Sequence, residues 1–289
     1  MSEKIAILAD SGSDLPSNLV AQDNVAIVPM QIHWHGEVLR DRVDISPNEF
    51  YRALKTSKEL PKTSSPQMSD IISQVARLRE KGYTHLLVIG VSSKLSVTFN
   101  QMYLQAKSTP DLVVEGIDTK NIGIGSGQIA VYAASLIAAG LPFVQIIARL
   151  RKSVTTSRIF FYVPTLKYLA AGGRIGKVAG LLGSTLHIKP IISCDPDGVY
   201  YPIAKAHGEK RAVQKMLALV DRAVGDHQQV HLAVCDGDNL PLRTQLLNLM
   251  KEKYPQFTVD VGDISPALGV HTGPGLIGIA VNVRYDEEQ

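Results

Sequence analysis

Short apolar runs rich in β-forming residues alternate with helix-patterned stretches along this chain, and that alternation limits its fold more than any other feature. Ile5 to Asp10 reads as a strand, a polar segment opens a helix near Pro16, and Val25 to Trp34 reads as the next strand. Strands at His85 to Ser92 and Leu112 to Asp118 bracket a helix from about Ser96 to Lys107. Gly127 to Ser153 is helical in two pieces, split by Gly140-Leu141-Pro142. Beyond Arg158 the pattern restarts with a strand at Ile159 to Val163, a short helix to Ala171, and a strand at Ile188 to Cys194. The turn Asp195-Pro196-Asp197-Gly198 leads to its hairpin partner, Val199 to Ala206. Helices at Glu209 to Val224 and Leu240 to Tyr254, a strand at Val230 to Cys235 between them, and two closing strands complete the chain. The fold class expected is α/β, with a mostly parallel N-terminal sheet flanked by helices and a second α/β unit after it.

Helix starts carry local signals. Ser46-Pro47-Asn48-Glu49 sets an N-cap Ser, a Pro at the first helical position and a Glu at the third, which is a capping box. Ser65-Pro66 repeats the Ser-Pro start for a helix with Ile71, Ile72, Val75 and Leu78 on one face, ending at Gly82.

The 289 residues exceed the roughly 100 to 200 of a usual domain, so two domains are expected, 1–156 and 157–289, and 45% apolar residues suffice for both cores. Thirty Lys and Arg against 27 Asp and Glu leave +3, with no polybasic block, so nucleic acid is not an expected partner. Cys194 and Cys235 show neither CxxC spacing nor clustering with His, which speaks against zinc and against a disulfide framework. The N-terminus runs directly into an apolar strand without a signal-peptide pattern, and the longest apolar stretch, Ile129 to Leu141, is shorter than the ~20 residues a bilayer requires. A cytoplasmic location is expected.

Several chemistries are excluded by spacing. Gly123-Ile124-Gly125-Ser126-Gly127 is not GxGxxG and lies far from the first strand, so it reads as a helix-entry turn. Around Gly176-Lys177 a Walker loop would need Gly at Ala171 and Ser or Thr at Val178. Gly90-Val91-Ser92-Ser93-Lys94 lacks the second glycine of a nucleophile elbow. His33 and His35 alternate on one strand with no carboxylate cluster near them, the pattern of packing or surface histidines, so no metal is expected.

Two hydroxyl clusters carry better physical logic. Thr63-Ser64-Ser65-Pro66 precedes one helix and Ser92-Ser93-Lys94-Leu95-Ser96-Val97-Thr98 precedes another, and helix N-termini with adjacent hydroxyls hold carboxylates or phosphates. Ser65 and Ser96 equally suit the plain role of N-caps. His271-Thr272-Gly273-Pro274-Gly275, a polar island before the last strand, suits a turn or an imidazole presented to a cleft.

Taken in order, these islands resemble the DegV family, whose members include the fatty-acid-binding subunits of bacterial fatty acid kinase. Asp10-Ser11-Gly12-Ser13-Asp14-Leu15 is similar to its DSxxDL, Thr63-Ser64-Ser65-Pro66 to TSQP, and Ser92 to Thr98 to SSxLSGT. Gly172-Gly173-Arg174-Ile175 matches GGRI, and His271 to Gly275 matches HTGPG. The resemblance spans nearly the whole chain and implies a two-domain fold with its ligand in the interdomain cleft. The implied ligand is a long-chain fatty acid of about C14 to C20, each buried methylene contributing roughly 0.8 kcal/mol. Carried over, the carboxylate would be held by Thr63 and Ser96, with Ser64 and Thr98 assisting, His271 near the head group, and Arg174 in support. The implied role is that of a carrier, not an enzyme, presenting the carboxylate to the catalytic subunit of a fatty acid kinase, with no cofactor of its own and transient contact with a membrane surface. Two positions depart from the family: Val97 stands at the SGT glycine, and His207 stands where Lys-x-Arg-Thr places a fixed positive charge. His207 is thereby a further position to weigh at the ligand site or its coupling to a partner. The alternatives are a hydrolase or acyl transferase using Ser96 and His271, and a lipid sensor without a kinase.

Overall fold

The computed structural model describes residues 3–183 and 188–285. Four parallel strands form the first sheet: β1 (Ile5–Asp10), β2 (Val25–Val28), β6 (His85–Gly90) and β7 (Val113–Asp118), in the order β2-β1-β6-β7. A parallel sheet needs helices on both faces, so its strands read as unbroken apolar runs, and all six residues of β1 are buried. One face is covered by α3 (Met68–Glu80) through Ile71, Val75 and Leu78, and by α4 (Thr98–Lys107) through Met102 and Ala106. Ile72, expected on that stripe, is 48% exposed: it sits one position round from Ile71, outside the 3.6-residue arc of the other three. The opposite face is covered by α5 (Ile124–Ala138) and α6 (Phe143–Thr156) through Ile129, Ala133, Ile146 and Leu150.

The stretch Val25 to Trp34 is two strands in different sheets. Pro29 lacks an N–H, and the Met30 N–H leaves the ladder to donate to Ser11 Oγ at 3.0 Å. The chain then enters a three-stranded antiparallel sheet in the order β4-β3-β5, built from β3 (Gln31–Trp34), β4 (Glu37–Arg40) and β5 (Lys62–Ser64). Between β4 and β5 lies α2 (Pro47–Thr56), whose start has the expected reciprocal capping box of Ser46 and Glu49. The short α1 (Ser17–Val20) links β1 to β2.

Every strand of the six-stranded mixed sheet follows residue 157. Its strands are β8 (Arg158–Tyr162), β9 (Ile188–Cys194), β10 (Tyr200–His207), β11 (Val230–Gly237), β12 (Thr258–Asp263) and β13 (Leu276–Val283), ordered β10-β9-β8-β13-β11-β12. Only β11 and β12 pair in parallel. The period of two divides each strand between two cores. Phe160, Tyr162, Leu232 and Val234 face α8 (Glu209–Val224) and α9 (Leu240–Lys253). Phe161, Ala233 and Cys235 face inward, where they meet Met30, Ile32, Phe50, Val91 and Ile122 from the first half of the chain. This shared core closes the cleft between the halves, with α7 (Lys167–Ala171) and α10 (Pro266–Thr272) along it. At the hairpin between β9 and β10, Gly198 has φ +87°, and a Cβ there would lie 2.0 Å from Ser92 Oγ, whose hydroxyl donates to the Gly198 carbonyl at 2.8 Å. No helix among the described residues is long and apolar enough to cross a membrane.

Candidate functional site

In a doubly wound sheet the strand order reverses between two neighbours, and their C-terminal ends part to leave a crevice. Here the reversal falls between β1 and β6. The loop after β6 supplies Val91 and Ser93 to Val97, the loop after β7 supplies Ile122, and the end of β2 supplies Met30, all to one cavity of about 290 Å³. The opposite wall comes from the other sheet's side: Tyr200, Arg174, and Ala267, Leu268 and His271 of α10. Thr63, Ser64 and Ser65 close the rim.

Five residues singled out from the sequence, Thr63, Ser64, Ser96, Arg174 and His271, therefore meet on this cavity. Thr63 does so from β5, where it pairs with Ile32. Its Oγ1 lies 2.7 Å from His271 Nε2. His271 sits in the last turn of α10, a helix the Ser265-Pro266 start opens, and presents its imidazole to the cavity from there and not from a turn between strands. Burial, then the nearby Arg174 guanidinium, pushes the imidazole down to about 4, so it is neutral at pH 7. Its Nδ1 is buried without a hydrogen bond and faces Gly172, where a Cβ would come within 2.0 Å. Arg174 donates to the carbonyls of Gly172 at 2.9 Å and Leu95 at 3.5 Å, and so ties the two halves together at the cavity edge.

Neither serine expected as an N-cap holds that position. The caps are Gln67 for α3 and Val97 for α4. Ser96 Oγ instead lies 2.8 Å from Thr98 Oγ1 and accepts the Thr98 N–H at 3.3 Å. Thr98 is fully buried behind Ser96 and does not line the cavity. Val97 has φ −76°, a backbone open to any residue, so its β-branched side chain brings no strain there, and the residue is 57% exposed. His207 ends β10 on the surface, opposite Ile188. Tyr200, at the other end of that strand, is the residue that reaches the cavity, and a strand advances about 3.3 Å per residue, which sets His207 far from it.

The cavity also holds residues the motifs did not single out as ligands. Ser93 donates to Asp118 Oδ2 at 2.5 Å, and Lys120 lies 2.7 Å from the same oxygen. Burial works against the Asp118 charge, but Lys120 and Ser93 hold its carboxyl below the usual range. Ser93 thus commits its proton to Asp118 and offers the cavity only lone pairs. An apolar seam of about 20 Å³, lined by Ile124, Ile159, Phe161, Cys235 and Leu276 among others, adjoins the cavity through Ile122, Tyr200 and Leu268, which line both. A second cavity of about 420 Å³ shares Thr63, Arg174 and His271 and adds Lys62 and Val270. Among the described residues no group of three or more His, Cys, Asp or Glu is placed to hold a metal. His33 bonds Ser64 Oγ at 2.8 Å and His35 pairs with Glu59 at 3.2 Å.

Known proteins share this fold. The family model described as "Uncharacterised protein, DegV family" matches residues 4–284. A DegV domain-containing protein of Clostridium acetobutylicum is 36% identical over 279 residues, covering 96% of this chain and 99% of that protein. A DegV family protein from Thermus thermophilus, described by its fatty acid binding, superposes with a TM-score of 0.89 at 26% identity, covering 97% of this chain and 99% of its own. A stearic acid-binding protein from Eubacterium ventriosum superposes at 0.86 and 26% identity, covering 99% of each chain.

Proposed function

The chain belongs to the DegV family, and on that premise we propose that it binds one long-chain fatty acid, of about C14 to C20, in the cleft between a domain ending near residue 156 and the domain that follows. The observation that carries this reading is the cleft's polarity. Hydroxyls of Thr63, Ser64 and Ser96 and a neutral His271 gather at one end, and an apolar seam begins past Ile122, Tyr200 and Leu268. Solved relatives at 26% identity that are described as fatty-acid or stearic-acid binders support it.

The head group is held without an ion pair. In the tautomer that protonates Nε2, His271 donates to Thr63 Oγ1, which frees the Thr63 hydroxyl to donate to a carboxylate oxygen. Ser96 has the same freedom, since Thr98 can donate to it. Hydrogen bonds to a charged acceptor are the strong ones, and they offset the several kcal/mol lost when a carboxylate leaves water. The tail supplies affinity: about fifteen methylenes at roughly 0.8 kcal/mol each give about 12 kcal/mol before association costs. A seam of about 20 Å³ has space for little more than one water, so entry of the tail spreads Ile122, Tyr200 and Leu268 apart.

The carrier acts in the cytoplasm and gives the carboxylate to the catalytic subunit of a fatty acid kinase, which brings nucleotide and metal. The carboxylate oxygen bonds to the terminal phosphorus, the bond to the leaving nucleoside diphosphate breaks, and an acyl phosphate results. The alternative of a hydrolase using Ser96 and His271 has the weaker geometry. His271 Nε2 faces Thr63, Ser96 faces Thr98, and Nδ1 has no acceptor to orient the ring. Native mass spectrometry of purified protein, with lipid extraction, tests the binding role. One fatty acid per chain, lost in the Thr63→Ala/Ser96→Ala double variant, is expected, and a chain that stays lipid-free when offered fatty acid overturns it. Acyl phosphate formed only when a cognate kinase is added tests the second half.

A further inference from the structure

We propose that Asp14 and Asp41 are positioning residues for this site: carboxylates of the first domain cap a helix of the second and thereby hold His271 against Thr63. The inference rests on the lipid-binding reading and deepens it.

The first N–H groups of a helix have no partner within it. In α10 the Ser265 hydroxyl accepts from Leu268 N at 3.4 Å, but two other amides are satisfied from across the cleft. Asp41 Oδ1 accepts from Ala267 N at 3.2 Å, and Asp14 Oδ1 accepts from Ser265 N at 3.0 Å. Arg42 closes the ring, donating to Asp14 Oδ1 at 2.8 Å and to the Asp263 carbonyl at 2.6 Å. Asp14 holds a left-handed φ of 45° and Arg42 one of 61°, conformations that persist only where surroundings enforce them. The helix so fastened brings Ala267 and Leu268 to the cavity wall and, one turn on, His271. Loosening its first turn moves all three.

Both carboxylates are buried, Asp14 at 4% exposure and Asp41 at 1%, and Asp14 Oδ2 has no hydrogen bond. Arg42, Asp41, Asp10, Tyr51 and Cys235 are the charged and titratable groups that face Asp14. Burial, opposed by Arg42, lifts Asp14 to about 6, and burial lifts Asp41 as well. Asp14 therefore loses its charge in mildly acid solution, where His271, at about 4, stays neutral.

Fatty-acid affinity measured from pH 5 to 8 on delipidated wild type, Asp14→Asn and Asp41→Asn, together with NMR of the His271 ring without lipid, tests this. The acid's own titration is common to all three proteins and cancels in ratios. The wild type is expected to weaken by about tenfold below pH 6, whereas Asp14→Asn is about fivefold weaker at pH 7.5 and lacks that step, with His271 signals displaced. Variants with wild-type melting temperature, pH profile and ring signals overturn the proposal. A wild type that takes up no fatty acid at any pH sinks the lipid reading alone, and the ring signals then decide on the clasp. Should Asp14→Asn fail to fold, Asp41→Asn, which removes charge but keeps an acceptor for Ala267, carries the test.

Discussion

Thr63 Oγ1 and His271 Nε2, 208 positions apart in the chain, meet at 2.7 Å across the cleft. The contact joins a strand of the small antiparallel sheet to the end of a helix from the second domain, so it reports on both the site and the closure of the molecule around it. Thr63→Val keeps the shape and removes the hydroxyl. One hydrogen bond to a charged group contributes about 1.5–3 kcal/mol, so fatty-acid affinity should fall roughly tenfold to a hundredfold in a displacement assay. A fall of less than twofold would take Thr63 out of the head-group site.

Gly172 sets the position of the imidazole from behind. Its φ of −80° and ψ of −5° suit alanine as well as glycine, so Gly172→Ala costs no backbone strain. The added Cβ would stand 2.0 Å from Nδ1, and the ring must move. The variant should melt within a few degrees of wild type yet show a displaced His271 ring resonance and a loss of affinity like that of Thr63→Val. An unmoved ring would mean that the helix backbone yields instead.

What the sequence made legible is what is written within a contiguous stretch. The long amphipathic helix at Glu209–Val224, the split at Gly140 to Pro142, and the capping box at Ser46 follow from local periodicity and side-chain chemistry. The DegV motifs group Thr63, Ser96, Arg174 and His271, and the fold brings those four to one cavity. β5 was not legible, because three polar residues become a strand only through pairing with β3. Nor was the break at Pro29-Met30, where a side chain from another loop, Ser11, captures the freed amide. The Asp14 and Asp41 contacts with α10 join parts of the chain more than two hundred residues apart, and no local period records them.

His207 separates a motif argument from a geometric one. It is exposed at the end of β10 and outside both cavities that share His271. His207→Ala should leave fatty-acid affinity within about twofold, since exposed substitutions away from such features usually fall within ~0.5 kcal/mol. A larger change, read in the same displacement assay, would bring this position back into the ligand site. A change confined to acyl-phosphate formation with a kinase would place it on the partner's face.

The pH dependence of folding separates two opposed contributions. Burial lifts Asp14 from 3.8 to about 6, so the native state holds that proton more tightly than the unfolded chain does. Its stabilisation is complete below pH ~4 and is lost as pH rises through 6. His271 runs the other way. Burial lowers it from 6.5 to about 4, the unfolded chain binds the proton more tightly, and the stability it lends above pH 6.5 is lost as pH falls through 4. A tenfold change in proton affinity between the folded and unfolded chain is worth about 1.4 kcal/mol, which makes each effect of the order of 3 kcal/mol. Urea titrations of wild type and His271→Gln between pH 4 and 7 isolate the second. The stability difference, wild type minus variant, should grow with pH across that range by up to about 3 kcal/mol, while wild type minus Asp14→Asn should shrink. If the His271→Gln difference is flat, the ring titrates near its ordinary 6.5 in the native state and carries its charge in mildly acid solution. A charged ring would then pair with the fatty-acid carboxylate directly, and the donor relay through Thr63 would give way to an ion pair.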